Sequence, residues 1–224
     1  MKKRVLIVIP AFNEEQSVEI VALNCKRYGD VLVVDDGSTD RTAELAKNAG
    51  TIVVSNKENL GYEFSLNTGH AYALAKDYEI MVTMDADGQL PYDKIQDFID
   101  AIDKGASVAI GKRNKISRLS ERILAHFSSL ISGVCDPYCG MKAYNLTVNQ
   151  QSYFSRFNST GTALTFDYIA LDLPVANIEI EIKNRNGKSK FGGILASEIR
   201  LAPSMLAGII RLLRILMDRR VRKK

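Results

Sequence analysis

Short apolar runs alternate along the chain with longer stretches in which apolar residues recur every three or four positions. The short runs lie at residues 4–9, 31–34, 51–54, 80–84 and 108–110, are rich in Val and Ile, and read as buried strands. Helical patterns fill the gaps at 14–27, 39–49, 65–76 and 92–104. This alternation predicts an α/β fold, a mostly parallel sheet flanked by crossover helices. Local signals agree: Ser38 or Thr39 is placed to cap the second helix, and Pro91 suits a first turn. The second half is less regular. Residues 118–132 read as helix, 135–144 as a turn leading into a strand, 162–171 as helix, and 178–183 as a half-exposed strand. NRNGKSKFGG, residues 184–193, reads as a loop rich in glycine and cations.

The apolar stretch at 196–217 is interrupted by Glu198, Arg200, Pro203, Arg211 and Arg214, so a membrane-spanning helix is not expected. Leu206, Ile209, Ile210, Leu213 and Met217 fall on one helical face, with Arg211, Arg214 and Asp218 on another. Such a helix suits either an anionic lipid surface or packing against its own domain or a dimer partner.

Charge changes the picture at this end of the chain. Residues 200–224 hold eight basic residues and one acid, a charge of +7, so a net +4 leaves −3 for the rest. A uniformly basic nucleic-acid binder is not expected, whereas a tail aimed at an anionic surface stays open. At 224 residues the chain is long enough to build its own core. Cys25, Cys135 and Cys139 cannot all pair and lack zinc-ribbon spacing, so a reduced, intracellular setting is expected. Residues 4–9 are too short for the apolar part of a secretory leader.

Ligands of open α/β sheets bind beyond the carboxyl ends of the strands, where the polar clusters of this sequence fall. PAFNE, residues 10–14, follows the first strand; DDGSTD, 35–40, follows the second. DADGQ, 85–89, follows the fourth and GKR, 111–113, the fifth. Asp85 and Asp87 are two positions apart and point the same way in an extended chain. Two carboxylates with Gln89 nearby suit Mg²⁺ or Mn²⁺, hard cations that share their shell with substrate phosphates. Asp35 and Asp36 supply one acid more than a turn needs, leaving one to accept from a ligand. There is no G-x-G-x-x-G after the first strand and no Walker lysine motif, so the dinucleotide and P-loop readings fail.

The motifs IVIPAFNEE, VVDDGSTDRT, ENLGYEFSLNTG, MDADGQL, GKRN, DPYCGMKAY and NRNGKSKFGG, in that order over about residues 4–193, resemble glycosyltransferase family 2. These are inverting enzymes of the GT-A (Rossmann-like) fold, and the likeness is greatest to the dolichyl- and polyprenyl-phosphate sugar synthases. The resemblance implies that Pro10, Ala11 and Glu14 line a nucleoside pocket and that Asp36, supported by Asp35, accepts from the base. It implies that Asp85, Asp87 and Gln89 hold the divalent ion and that Arg113, with Arg122 as a second candidate, binds phosphate. Asp136 takes the place of the acid beside the acceptor, and Arg185, Lys188, Ser189 and Lys190 that of a loop closing over phosphates. Tyr62, Glu63 and Phe64 depart from the small or basic residues common there, and an acid at 63 sits awkwardly beside a donor diphosphate.

The function so implied is metal-dependent transfer from a UDP- or GDP-linked sugar to a polyprenyl phosphate. The catalytic domain would span 1–193 and an amphipathic basic tail 194–224, with the protein peripheral at the cytoplasmic face of a membrane. Asp136 would orient an ionised phosphate acceptor, or act as base if the acceptor were a sugar hydroxyl. Alternatives are a family 2 enzyme extending a saccharide and a non-catalytic nucleotide-sugar-binding subunit. His70 and His126 read as surface or packing residues, with His70 also placed to border the donor pocket. Cys135 and Cys139 read as packing residues.

Overall fold

The computed structural model describes residues 3–116, 118–148, 161–183, 203 and 205–217. Seven strands are found among them: β1 (Val5–Ala11), β2 (Asp30–Asp35), β3 (Ile52–Ser55), β4 (Ile80–Thr83), β5 (Val108–Arg113), β6 (Lys142–Asn145) and β7 (Val175–Ile180). They form one sheet in the order β3-β2-β1-β4-β6-β5-β7. Six run parallel; β6 lies antiparallel between β4 and β5. The helices are α1 (Val18–Cys25), α2 (Thr42–Asn48), α3 (Tyr62–Ala75), α4 (Ile95–Asp103), α5 (Leu119–Ser132), α6 (Ala163–Ala170) and α7 (residues 205–217). A 3₁₀ turn over Tyr92–Lys94 leads into α4.

Strand β1 shows why the apolar runs are continuous. Val5, Ile7 and Ile9 enter the core shared with α1, α2 and α4; Leu6 and Val8 enter the opposite core, shared with α3, α5, α6 and α7. A strand buried on both faces has no polar positions to alternate with. The two cores sandwich the sheet and leave its carboxyl edge open.

Two local expectations are corrected. Strand β7 begins three residues earlier than 178, because its register with β5 runs from Val108↔Val175 to Arg113↔Ile180. Neither Ser38 nor Thr39 caps α2. Ser38 Oγ accepts from Asn13 N at 2.9 Å and Thr39 N donates to Asn13 Oδ1 at 2.8 Å, while the Thr42 N–H goes to Asp40 Oδ1 at 2.9 Å. Asn13 makes both bonds from a left-handed backbone conformation, φ 52°, in which its side chain reaches across to the neighbouring loop. The fold thus spends these residues on joining the loops after β1 and β2.

Helix α7 packs on the domain through one face and leaves another open. Gly208 lies against Leu124 of α5 and Phe166 of α6, and Leu212 and Ile215 are buried in the shared core. Arg211 pairs with Asp167 of α6. Leu206, Ile210, Leu213 and Met217 remain exposed. The expected boundary at 193/194 lies outside the described residues.

Candidate active site

The carboxyl ends of β1, β2, β4 and β5 share one edge, and antiparallel β6 begins at that edge. Lys142, the first residue of β6, pairs with Thr83, the last of β4. The DPYCG turn is thereby delivered between Asp85 and Arg113.

On the β1–β2 side, Pro10 and Ala11 are buried at the end of β1, and Ala11 O accepts from Asp36 N at 2.8 Å. Glu14 N donates to Thr42 Oγ1 at 2.8 Å, and Ser17 Oγ donates to the Glu14 carboxylate at 3.4 Å. Asp35 Oδ1 accepts from Ser38 N at 3.2 Å. Asp36 is buried and accepts from Asn56 Nδ2 at 2.8 Å, Leu60 N at 2.9 Å and Gly61 N at 2.8 Å. A carboxylate offers about four acceptor positions, so the three bonds make Asp36 chiefly a clamp on the 56–61 loop.

In the centre, Asp85 is partly buried and takes a 2.7 Å hydrogen bond on Oδ1 from the Tyr62 hydroxyl. Its carboxylate lies against Gly140 so closely that a Cβ there would stand 2.2 Å from Oδ2. Burial and the neighbouring Asp87 push the Asp85 carboxyl up to about 6, against the Tyr62 hydroxyl, Lys142 and Arg113, which lower it. Asp87 Oδ1 accepts from Gln89 N at 3.1 Å. The Gln89 amide donates to Lys183 O at 3.3 Å, and Lys183 N donates to Gln89 O at 2.9 Å. Gln89 is thus tied to the chain just before residues 184–190. Among the described residues no cluster of three or more His, Cys, Asp and Glu side chains is arranged to hold a metal by itself. A pair of oxygen donors with an adjacent amide fits an ion that completes its shell with phosphate oxygens. The strained ionisation of Asp85 is the kind a cation relieves.

Lys142 is a site residue the sequence reading missed. The residue is 2% exposed and Nζ donates to Gly161 O at 2.6 Å. Burial drives its pKa down, while Cys139, Glu63, Asp136 and Asp85 oppose that. Gly161, at φ 75°, also donates its N–H to Glu63 Oε2 at 2.5 Å. The acid that looked awkward beside a diphosphate is therefore spent on a backbone N–H beside a buried ammonium. The available signal was a lysine inside GMKAY, a run that otherwise reads as buried strand.

On the β5 side, Arg113 Nε donates to Asp136 Oδ2 at 2.6 Å and Nη2 to Asp136 Oδ1 at 2.9 Å. Nη2 also donates to Glu121 Oε2 at 2.7 Å, and Arg118 Nη1 donates to Glu121 Oε1 at 2.6 Å. Burial opposes the Arg113 charge, but Asp136 and Glu121 outweigh it and the guanidinium is held more firmly protonated than usual. Glu121 and Arg118 were not foreseen. Arg122 lies exposed on α5, apart from this cluster. His70 is buried and His126 exposed. The three cysteines are free; burial pushes the Cys25 and Cys139 thiols up to about 12, which leaves them inert at neutral pH. Arg185, Lys188, Ser189 and Lys190 lie outside the described residues. A crevice of about 640 Å³ runs beside Arg113, lined in part by Lys94, Lys112, Asn114 and Lys183.

The family model for glycosyl transferase family 2 matches residues 6–161. The chain belongs to glycosyl transferase family 2. This family 2 glycosyltransferase is 27% identical to a dolichyl-phosphate hexose transferase of Haloferax volcanii, over 82% of this chain and 85% of the relative. It is 26% identical to a polyprenol monophosphomannose synthase of Mycolicibacterium smegmatis, over 85% and 82%. An uncharacterised protein of Methanocaldococcus jannaschii is 34% identical over 64% of this chain and 65% of its own length. Among solved structures, glucosyl-3-phosphoglycerate synthase from Mycobacterium tuberculosis, in complex with Mn²⁺, UDP-glucose and phosphoglyceric acid, superposes with a TM-score of 0.72. That match is 19% identical and covers 96% of this chain and 80% of the other, a likeness of fold. The sheet with its single antiparallel insertion is therefore of GT-A type, as the motifs implied.

Proposed function

We propose that this glycosyltransferase moves a sugar from a nucleotide-diphosphate sugar to a polyprenyl phosphate at a membrane surface. The observation that carries this reading is the bidentate pair of Asp136 with Arg113. Asp136 is 1% exposed and accepts two side-chain bonds from one guanidinium. Protonating it would break two charge-assisted bonds, so it is a poor base for a sugar hydroxyl. A phosphate acceptor is ionised near neutral pH and needs no base, only a cation to hold it. Arg113 fits that need.

In the proposed reaction the acceptor oxygen bonds to the anomeric carbon as the bond to the diphosphate oxygen breaks. The electron pair leaves with the nucleoside diphosphate, and configuration inverts. Pro10, Ala11, Glu14, Asp35 and Asp36 bind the nucleoside side of the donor. Asp85, Asp87 and Gln89 would hold Mg²⁺ or Mn²⁺, which when bound neutralises charge building on the departing diphosphate. Arg113 grips the acceptor phosphate, and Asp136 orients Arg113. Arg185, Lys188 and Lys190 follow in sequence on the Gln89–Lys183 link and would add charge over the diphosphate, with Ser189 adding a hydroxyl donor.

The lipid acceptor is further supported by a surface. Helix α5 exposes Leu119, Ile123, Phe127 and Leu130, and α7, packed against it, exposes Leu206, Ile210, Leu213 and Met217. Arg122 and Arg214 are exposed on the same two helices, and RRVRKK ends the sequence. Apolar stripes with flanking cations suit the anionic face of a bilayer and peripheral attachment. No helix among the described residues is long and apolar enough to cross a membrane.

The test is to incubate the full chain with Mn²⁺ or Mg²⁺, labelled UDP- and GDP-sugars, and either polyprenyl phosphate in anionic vesicles or oligosaccharides. Label is expected in the lipid phase. Label entering only oligosaccharides would overturn the proposal. Vesicle co-sedimentation checks the surface: Phe127→Glu with Leu213→Glu is expected to lower binding at least about tenfold, from loss of apolar burial.

A further inference from the structure

We infer that Glu121, in the first turn of α5, is a positioning residue that holds Arg113 in the one orientation useful for an incoming phosphate. This rests on the transfer reaction proposed above. A guanidinium carries five N–H donors. Asp136 takes Nε–H and one Nη2–H, and Glu121 takes the other Nη2–H at 2.7 Å. Nη1 has no hydrogen-bond partner among the described residues, and it is the part of Arg113 left for the acceptor.

Arg113 does not need the second carboxylate for its own charge, and the charge of Glu121 is matched by Arg118. Asp136 alone matches Arg113 in charge and in fork geometry. Nor does helix α5 require it in this position. An acid near a helix N-terminus interacts favourably with the dipole while solvated, whereas Glu121 is turned inward and 4% exposed. Desolvating a carboxylate is costly, and buried ion networks contribute little net stability. What Glu121 adds is geometric. With both Nη2 hydrogens engaged, the guanidinium can neither rotate about its Cζ–Nη2 bond nor pivot about the Asp136 pair. Glu121 is itself held from behind, because Arg118 Nη1 donates to its other oxygen at 2.6 Å. The same helix presents the exposed apolar stripe, so the residue that aims Arg113 is carried by a proposed lipid-facing element.

The test compares full-length wild type with Glu121→Gln, which keeps the shape, and Glu121→Asp, which keeps the charge on a shorter arm. Assays use Mn²⁺, the donor the wild type accepts, and polyprenyl phosphate in vesicles. Glu121→Gln is expected to lower kcat by about tenfold or more, as small misplacements of a reacting group do. Donor nucleotide affinity should stay within about twofold, since that interaction is made elsewhere. Glu121→Asp should recover part of the loss. A second readout is the ¹⁵N-edited NMR signal of the Arg113 Nη2 protons. These are expected to be resolved in the wild type, where both are bonded, and to coalesce in Glu121→Gln, whose neutral amide oxygen holds the Nη2 proton more weakly than a carboxylate does. Wild-type kcat in folded Glu121→Gln, or Nη2 signals unchanged from wild type, overturns the inference. The outcomes are separable: absence of lipid transfer by the wild type removes the proposed reaction, while the NMR comparison still decides whether Glu121 pins Arg113.

Discussion

Replacing Gly140 by alanine tests whether Asp85 must sit where it does. The backbone at Gly140 lies outside the left-handed region, so alanine meets no conformational penalty there. The obstacle is the Asp85 carboxylate, 2.2 Å from the position of the new methyl group, where ordinary contact begins at 3.4 Å. Gly140 cannot easily yield, because its carbonyl accepts from Thr83 Oγ1 at 2.6 Å. The carboxylate must therefore retreat by about 1.2 Å, enough to break its 2.7 Å bond from Tyr62. Overpacking of this kind costs about 1–3 kcal/mol, which lowers Tm by roughly 2–4 °C per kcal/mol in a chain of this size. Misplacing a catalytic group by about 1 Å costs on the order of 10²-fold in rate. The assay is Mn²⁺-dependent transfer, with Mn²⁺ titrated calorimetrically in the presence of nucleoside diphosphate. A folded Gly140→Ala protein that keeps wild-type metal affinity and turnover within about threefold would refute the placement of the ion at Asp85.

Three further outcomes are expected. The Asp85 carboxyl is raised to about 6, so the metal-free native state keeps a proton that the unfolded chain releases near pH 4. Its stability should therefore decline as pH rises from about 4 to 6. Thermal melts in EDTA should show this slope, and it should flatten in Asp85→Asn; an equal slope in both proteins refutes it. Lys142→Met leaves Gly161 O and the Glu63 charge without their cation and should cost about 3–5 kcal/mol in urea unfolding. By contrast, Lys112→Met, which removes an exposed pair with Glu179, should cost about 1 kcal/mol or less; similar losses would contradict the role given to burial. Asp36→Ala strands the N–H groups of Leu60 and Gly61 and should cost about 3 kcal/mol or more. It should also abolish nucleotide binding, and intact binding measured by calorimetry would show that the 56–61 loop does not shape that pocket.

The sequence by itself determined the strands on the donor side and the edge on which chemistry could gather. Continuous Val and Ile runs in β1, β2 and β4 required burial on both faces, and polar clusters at their ends had nowhere to go but the carboxyl edge. It also marked the amphipathic face of α7, because a 3.6-residue period is a local property. What local patterning could not supply was pairing between distant segments. Only the tertiary structure inserted β6 antiparallel between β4 and β5, setting Lys142 opposite Thr83, Gly140 under Asp85 and Asp136 onto Arg113. The tertiary structure likewise turned Glu121 inward, and it showed that α7 packs by one face while leaving another open. Strand order and ion-pair choice are settled by desolvation and by contacts tens of residues apart. A one-dimensional pattern records which residues need partners, but not which partners they find.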